Sequence, residues 1–429
     1  MKKIAFIGCI WAFLIGCQND ASVVSQEDRI NLNADFYTVG EQYAIAAARG
    51  FVNSLISSTR SGEQKEIGDV YAWLSRDLYP ETRGNGEYPH LPDTMLYIVN
   101  FQNEKGFVLV HSQDSMGRIL AYVEQGNLSP SDSIGDEGFR FFLKSLRQSF
   151  PPEPIEPFPN DSNVVGPDPI FPGSGEFELP WEIDSIIPPL LATRWGQHAP
   201  FNYFCFTSSG EQAVAGCVPV SIAKIAAFHR SPSSYNGHIY DWDEILTSTV
   251  PTSSIGRESV AHLVHDIGVI AGTTYGNESV GSSTNANMKG PTLIQLGYHY
   301  LYDYYDYDLC MQEFQVGRPV LFGGHINRPE ANYPGHSWVV DGGIIRGKHI
   351  TVIDNTGHSY QQTLATQKLI HCNWGWDGRY NGYFVFDNLE LRNRVLNDSL
   401  EIPNEAVPTN YNFSMWLDIY YDIYPVQQE

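Results

Sequence analysis

Between residues 213 and 230 the chain reads AVAGCVPVSIAKIAAFHR, and Cys217 is the residue in it whose setting suggests chemistry. From Cys217 onward, Val218, Ile222, Ile225 and His229 recur at steps of four, three and four, the period of one helix face. Pro219 is tolerated in the first turn of such a helix, where its missing N–H costs nothing. Gly216 lets the backbone turn sharply just ahead of the cysteine. Cys217 is therefore expected at the positive end of a helix, which favours a thiolate. The segment taken alone has a second reading, a small apolar residue packed under a helix end, because cysteine is among the most buried residue types.

A nucleophilic thiol needs an imidazole to take its proton and return it to the leaving group. Of 13 histidines, His336 has the best placement, in NYPGHSWVVDG, where a Pro-Gly turn leads into a strand. His325, after Gly323-Gly324, is its rival, and His229 reads as a structural residue on the core face of the helix. A third group comes from LIHCNWGW. Strand alternation sends Cys372 and Asn373 to opposite faces, which puts Cys372 in the core and Asn373 toward the site. Asn373 is then expected to orient the imidazole, with Trp374 or Trp376 keeping water from that hydrogen bond. The same stretch by itself is equally a tight turn with aromatic packing.

These residues need elements to hold them. Residues 34–150 form a first globular region in which VGEQYAIAAARGFVNSLIS has helical periodicity. MLYIVNFQNEKGFVLVHSQDSMGRILAYVEQGN divides into three strands at Asn103–Gly106 and Asp114–Gly117, and GFRFFLKSLRQSF closes the region as a helix. From 151 to 189, eleven of 39 residues are proline, which excludes helix and central strand and makes a stiff, extended connector. The second region places helices first and short strands with Gly-rich turns afterwards, an α+β arrangement. The formal charge of −23 argues against nucleic acid as a partner, because phosphate binding needs a basic face. The four cysteines beyond the N-terminus, Cys205, Cys217, Cys310 and Cys372, allow two disulfides at most and lack paired metal-ligand spacing.

Gly216-Cys217-Val218, Phe228-His229, Gly335-His336-Ser337-Trp338-Val339-Val340-Asp341-Gly342 and Asn373-Trp374-Gly375-Trp376 occur in that order, after Trp195-Gly196-Gln197 and Asn202. Together they resemble the streptopain family of papain-like cysteine peptidases. The YIVNF…GFVLVHSQD…RILAYVEQG pattern is similar to that family's inhibitory propeptide. The resemblance implies a papain-like α+β catalytic domain, a helical part plus an antiparallel sheet, preceded by a small α+β propeptide domain. It implies catalytic Cys217, His336 and Asn373, with Gln197 donating to the oxyanion beside the Cys217 amide. Gly216, Trp374 and Trp376 would line or shield the site, and no metal or organic cofactor is implied. Two features depart from the family pattern: Val-Pro-Val follows Cys217, and the insertion GIIRGKHITVIDNTGHSYQQTLATQ carries His349 and His358. That insertion is read as an extra strand pair or loop at the rim.

At the N-terminus, MKKIAFIGCIWAFLIGC has the layout of an export signal, and Leu14-Ile15-Gly16-Cys17 looks like a bacterial lipobox with Cys17 as the lipidated residue. The expected divisions are 1–17 signal, 18–150 propeptide, 151–190 linker and activation region, and 191–429 peptidase. The expected protein is an exported, lipid-anchored cysteine endopeptidase of the cell envelope, outer membrane or cell surface. Its partners are protein or peptide substrates and its own propeptide, and it touches the membrane only through the lipid. Three other readings use the same residues differently. One is a transferase or amidase on the Cys–His pair, another a surface-tethered binding protein on a retired scaffold. The third, a metal site from His325, His336 and Cys372, has wide spacing against it.

Overall fold

The computed structural model describes residues 39–59, 64–74, 94–112, 118–149, 180–326, 335–353, 357–386 and 415–426. The signal and lipobox with Cys17, the connector up to 179 and the turn at 332–334 lie outside the described residues. In chain order the first region holds α1 (Val39–Thr59), β1 (Ile67–Leu74), β2 (Thr94–Phe101), β3 (Phe107–His111), β4 (Ile119–Val123) and α2 (Glu137–Ser149). Next come β5 (Glu182–Ile187), α3 (Cys217–His229), the short pair β6 (Ser234–Tyr235) and β7 (His238–Ile239), α4 (Trp242–Ile245) and α5 (Ser254–Ile270). The chain continues through α6 (Lys289–Gln295), β8 (Tyr298–Tyr304), α7 (Tyr307–Gln315), β9 (Val320–Ile326), β10 (Gly335–Ile353), β11 (Ser359–Asn373), β12 (Gly382–Phe384) and β13 (Met415–Pro425). The fold is α+β, as the periodicities require.

The first region does not close on a sheet of its own. Its strands continue into those of the second region as one 11-stranded sheet, in the order β1-β2-β3-β4-β12-β11-β10-β9-β13-β8, with β5 paired to β10. The join is the antiparallel pairing of β4 with β12, where Gly382 faces Val123, Tyr383 faces Tyr122 and Phe384 faces Ala121. An edge strand leaves backbone donors and acceptors unpaired, and β12 satisfies those of β4. Gly382 is required at this join, because a Cβ there would lie 2.0 Å from the Tyr122 carbonyl oxygen.

Side chains follow the backbone across the join. One core cluster contains Met95, Leu96, Phe107 and Phe139 from the first region together with Trp338, Trp374 and Phe384 from the second. On the other face, α1 packs Phe51 and Ala48 in a cluster with Ile344 and Leu369 of the β10–β11 hairpin. Arg346 lies buried in that hairpin, its guanidinium 5.1 Å from the Phe51 ring and 4.5 Å from the Trp181 ring. A third cluster surrounds α3 and contains Trp195, Phe201, Val220, Ile222, Ile225, Val264 and Ile267.

Three features differ from the sequence reading. β1 has no clear alternation and was not expected. The insertion after His336 is a strand pair, but its inner half lies under α1 and beside β5 rather than standing alone. The end of the Pro-rich connector is a strand, because Glu182–Ile187 contains no proline and pairs with Gly343–Gly347 of β10. In a chain carrying Cys217→Ala, Gly382→Val is expected to lower stability by about 1–3 kcal/mol through overpacking at the join. Hydrogen exchange at 119–123 should rise in that variant, and unchanged exchange there would show that the two regions do not depend on this pairing.

Candidate active site

Cys217 is the first residue of α3, and Gly216 at the N-cap has φ 92°, a left-handed conformation that a side chain would resist. Residues Val218 to Ala227 are all buried, so α3 is a central helix whose N-terminus opens at the site. One turn along, the Ser221 hydroxyl shares a 2.9 Å hydrogen bond with Ser337 Oγ, and Ser337 also bonds the Phe322 carbonyl at 3.1 Å. Ser337 follows His336 on β10, so this contact sets the distance between the helix that carries the thiol and the strand that carries the imidazole.

His336 is only 4% exposed. Its Nε2 donates to the Trp374 carbonyl at 2.9 Å, so the proton on that nitrogen is held away from the thiol. Nδ1 is left facing Cys217 and the Glu137 carboxylate, whose Oε2 is 3.6 Å away. The Trp338 ring stacks on the imidazole, with centroids 5.8 Å apart and planes 15° apart. Burial works against a charged ring. The Cys217 thiol, the nearby Glu137 carboxylate and the charge of Asp136 outweigh it and raise the His336 pKa to about 10.

Asn373 does not orient His336. Its Oδ1 accepts from Lys224 Nζ at 2.5 Å, and its Nδ2 donates to the Thr193 carbonyl at 2.8 Å. The strand alternation is right about Cys372, which lies fully buried in the core, but the amide of Asn373 is taken up by α3. The orienting acceptor is the main-chain carbonyl one residue further on. Lys224 is itself fully buried; desolvation lowers its pKa to about 7, against the charges of Asp341, Asp377 and Asp136. This lysine fixes the end of β11 and thereby the Trp374 carbonyl. A lysine inside the apolar run VPVSIAKIAAF was the signal available for it.

Gln197 is 4% exposed, its carbonyl accepts from the Ala215 amide at 2.9 Å, and its Nε2 is buried without a hydrogen-bond partner. Trp374 is fully buried and donates from Nε1 to the Tyr380 carbonyl, whereas Trp376 is half-buried beside the His198 ring. His325 lies on β9 opposite Gly335, and its side chain is outside the described residues. His229 packs against Phe228 and Tyr298. Among the described residues no disulfide joins Cys205, Cys217, Cys310 and Cys372.

The first region reaches the site through the N-terminus of α2. Asp136 accepts from the Phe139 amide at 2.7 Å and starts the helix. A Cβ at Gly138 would lie 2.3 Å from the Trp374 ring and 2.9 Å from His336, so only glycine allows this approach. Glu137 between them points its carboxylate at His336 Nδ1. The sequence reading had no place for this residue, although Gly135-Asp136-Glu137-Gly138 ahead of an aromatic helix marks it.

Residues 195–384 match the Peptidase C10 family, and residues 37–150 match the Spi protease inhibitor family. The peptidase C10 match is to the second region and the inhibitor match to the first. It is 22% identical over 347 residues to streptopain of Streptococcus pyogenes, covering 70% of this chain and 75% of that protein. It is 23% identical over 331 residues to the thiol protease/hemagglutinin PrtT of Porphyromonas gingivalis, covering 69% of this chain and 34% of that one. Among solved structures, a fragment of Prevotella intermedia prointerpain A aligns with a TM-score of 0.50 at 19% identity, covering 79% of this chain and 98% of the fragment. The chain therefore has the fold of the prointerpain A fragment, and α2, in the region that matches the Spi protease inhibitor family, is the element that reaches the Cys–His pair.

The Glu137–His336 contact has a defined pH window. Glu137 is held below the usual carboxylate range by the His336 imidazole beside it, so its contribution is lost as pH falls through that lowered value. The raised His336 makes its contribution below the ordinary imidazole range and loses it as pH rises through about 10. Asp136, which burial raises to about 6, is destabilising as its charge forms and so works in the opposite direction. In the Cys217→Ala chain, Glu137→Gln is expected to cost about 0.5–1 kcal/mol near neutral pH, allowing for the half-exposed carboxylate. Urea unfolding should find the difference gone in acid; a gap that persists there would contradict the ion pair.

Proposed function

We propose that this chain is the zymogen of an exported, lipid-anchored cysteine endopeptidase. In this reading the Cys217 thiolate attacks a peptide carbonyl, and the oxyanion that forms takes hydrogen bonds from Gln197 Nε2 and the Cys217 amide. The His336 imidazolium gives a proton from Nδ1 to the leaving amine. The neutral ring then takes a proton from water, which hydrolyses the acyl-enzyme and restores the thiol. The Trp374 carbonyl keeps the ring in one tautomer throughout, and Lys224 with Asn373 keeps that carbonyl in place.

The observation that carries this reading is the buried, unpartnered Nε2 of Gln197 in a segment tied to Ala215, just ahead of Cys217. A buried donor without an acceptor is costly to a structure, and a transient oxyanion is the acceptor that repays it. The propeptide blocks the site with Asp136-Glu137-Gly138 until the chain is cut in the connector ahead of Leu191 and the propeptide leaves. The N-terminal pattern ending at Cys17 supports export and attachment by a lipid, with the cell envelope as the place of action. Substrates are proteins or peptides.

The test is the intact mass of the chain from Gln18 onward, as wild type, Cys217→Ala and His336→Ala. The wild type is expected to shed its propeptide through the connector, while both variants stay full length. Hydrolysis of an unfolded protein substrate should fall by several orders of magnitude in the variants, as when nucleophile or base is removed from other such sites. A wild-type chain that is trimmed in the connector with trypsin, stays folded and still cleaves no peptide bond would overturn the proposal.

A further inference from the structure

We propose that the zymogen holds a zinc ion between Glu137, Cys217 and His336, so that a metal joins the propeptide to the Cys–His pair. The three residues begin three different elements or lie at their starts: Glu137 opens α2, Cys217 opens α3, and His336 is the second residue of β10. One donor atom from each, a carboxylate oxygen, Sγ and a ring nitrogen, lies within 4.8 Å of the other two. The Glu137 Oε2 to His336 Nδ1 distance is 3.6 Å. Ligands at zinc distances of 2.0–2.3 Å in a tetrahedron are roughly 3.3–3.8 Å apart, so these groups need little movement to share an ion.

The imidazole is prepared for a metal. Its Nε2–H is committed to the Trp374 carbonyl, the outer contact that metal-bound histidines usually make, and this leaves the Nδ1 lone pair as the ligand. His336 is almost fully buried, and Nδ1 has no hydrogen-bond partner. The ring cannot swing away, because Trp338 stacks on it and Gly138 lies against its edge. Cys217 is fixed relative to it by the Ser221–Ser337 hydrogen bond. A thiolate with an imidazole and a carboxylate selects zinc over magnesium or calcium, which prefer all-oxygen sites. Three protein ligands leave a fourth position for water.

The ion takes the place of protons. Cys217 and His336 Nδ1 give up theirs on binding, so affinity falls in acid. With zinc bound, the metal draws charge from the Cys217 thiolate and lowers its nucleophilicity, and α2 is tied to α3 and β10. Cutting and releasing the propeptide removes one ligand of three, which leaves a site too poor to retain the ion. This inference does not rest on the peptidase reading, since a binding-protein scaffold would hold the metal equally well.

The test uses the full chain from Gln18 onward, its mass verified as intact, with Zn²⁺ in competition against a chromogenic chelator and Co²⁺ as the spectroscopic probe. One equivalent of Co²⁺ is expected to give a thiolate-to-cobalt band in the near ultraviolet, absent in Cys217→Ala. Glu137→Gln should weaken Zn²⁺ binding by more than the roughly 10–100-fold that follows loss of an outer-shell partner. Glu137 has a side chain 44% exposed, so the variant keeps its fold, and Glu137→His should recover binding by restoring a third ligand. A full chain without the thiolate band, or a Glu137→Gln chain that binds Zn²⁺ as tightly as the wild type, would overturn the proposal.

Discussion

A buried imidazole must have both nitrogens accounted for, and the arrangement around His336 follows from how this chain does it. Nε2 is held by a main-chain carbonyl at the end of β11. Nδ1 is shared between a thiol at a helix start and a carboxylate from the propeptide. For the first contact β10 and β11 must run side by side to their ends, as the pairing of Val339 with Asn373 achieves. For the second, α3 must press its N-terminus against β10, which it does over an apolar length with Ser221 and Ser337 in register. Lys224 completes the frame from beneath by holding Asn373.

The propeptide reaches the same point as an extension of the same sheet. Pairing between β4 and β12 and a common aromatic core make its position a property of the whole fold, so α2 arrives over His336 without a separate docking surface. A second propeptide carboxylate supports this. Glu124 approaches the buried His371 at 3.6 Å, and His371 is already bonded to Asp341 at 2.6 Å. Burial opposes charge on His371, yet the two carboxylates raise its pKa to about 10. Both acids therefore tie the propeptide to histidines of the peptidase region, and cutting the connector alone leaves these contacts and the shared sheet intact.

Local patterns carried much of this into the sequence. The helix at Cys217, the strands at 94–123 and the helix at 137–149 follow from periodicity and turn residues. The pairing of Cys217 with His336 was implied by the family resemblance of the ordered motifs, and their donor atoms lie within 4.8 Å of each other. Contacts set by distant residues were not legible. Asn373 was expected on His336 because its neighbour Cys372 faces the core; nothing local says that Lys224, 149 residues earlier, occupies its amide. The join of β4 to β12 was hidden for the same reason, since an edge strand reads like any other until its neighbour is known. β5 was masked by the prolines around it, although Glu182–Ile187 itself contains none.

The central claim is that α2 of the propeptide closes the site at Cys217 while the chain is whole. The most direct measurement is the rate at which a thiol-reactive epoxide peptide labels Cys217 before and after the connector is cut and residues 37–150 are removed. Slow labelling of the intact chain and fast, single-site labelling of the freed second region are predicted. Equal rates in the two forms would contradict the account, because they would mean that α2 does not cover the thiol.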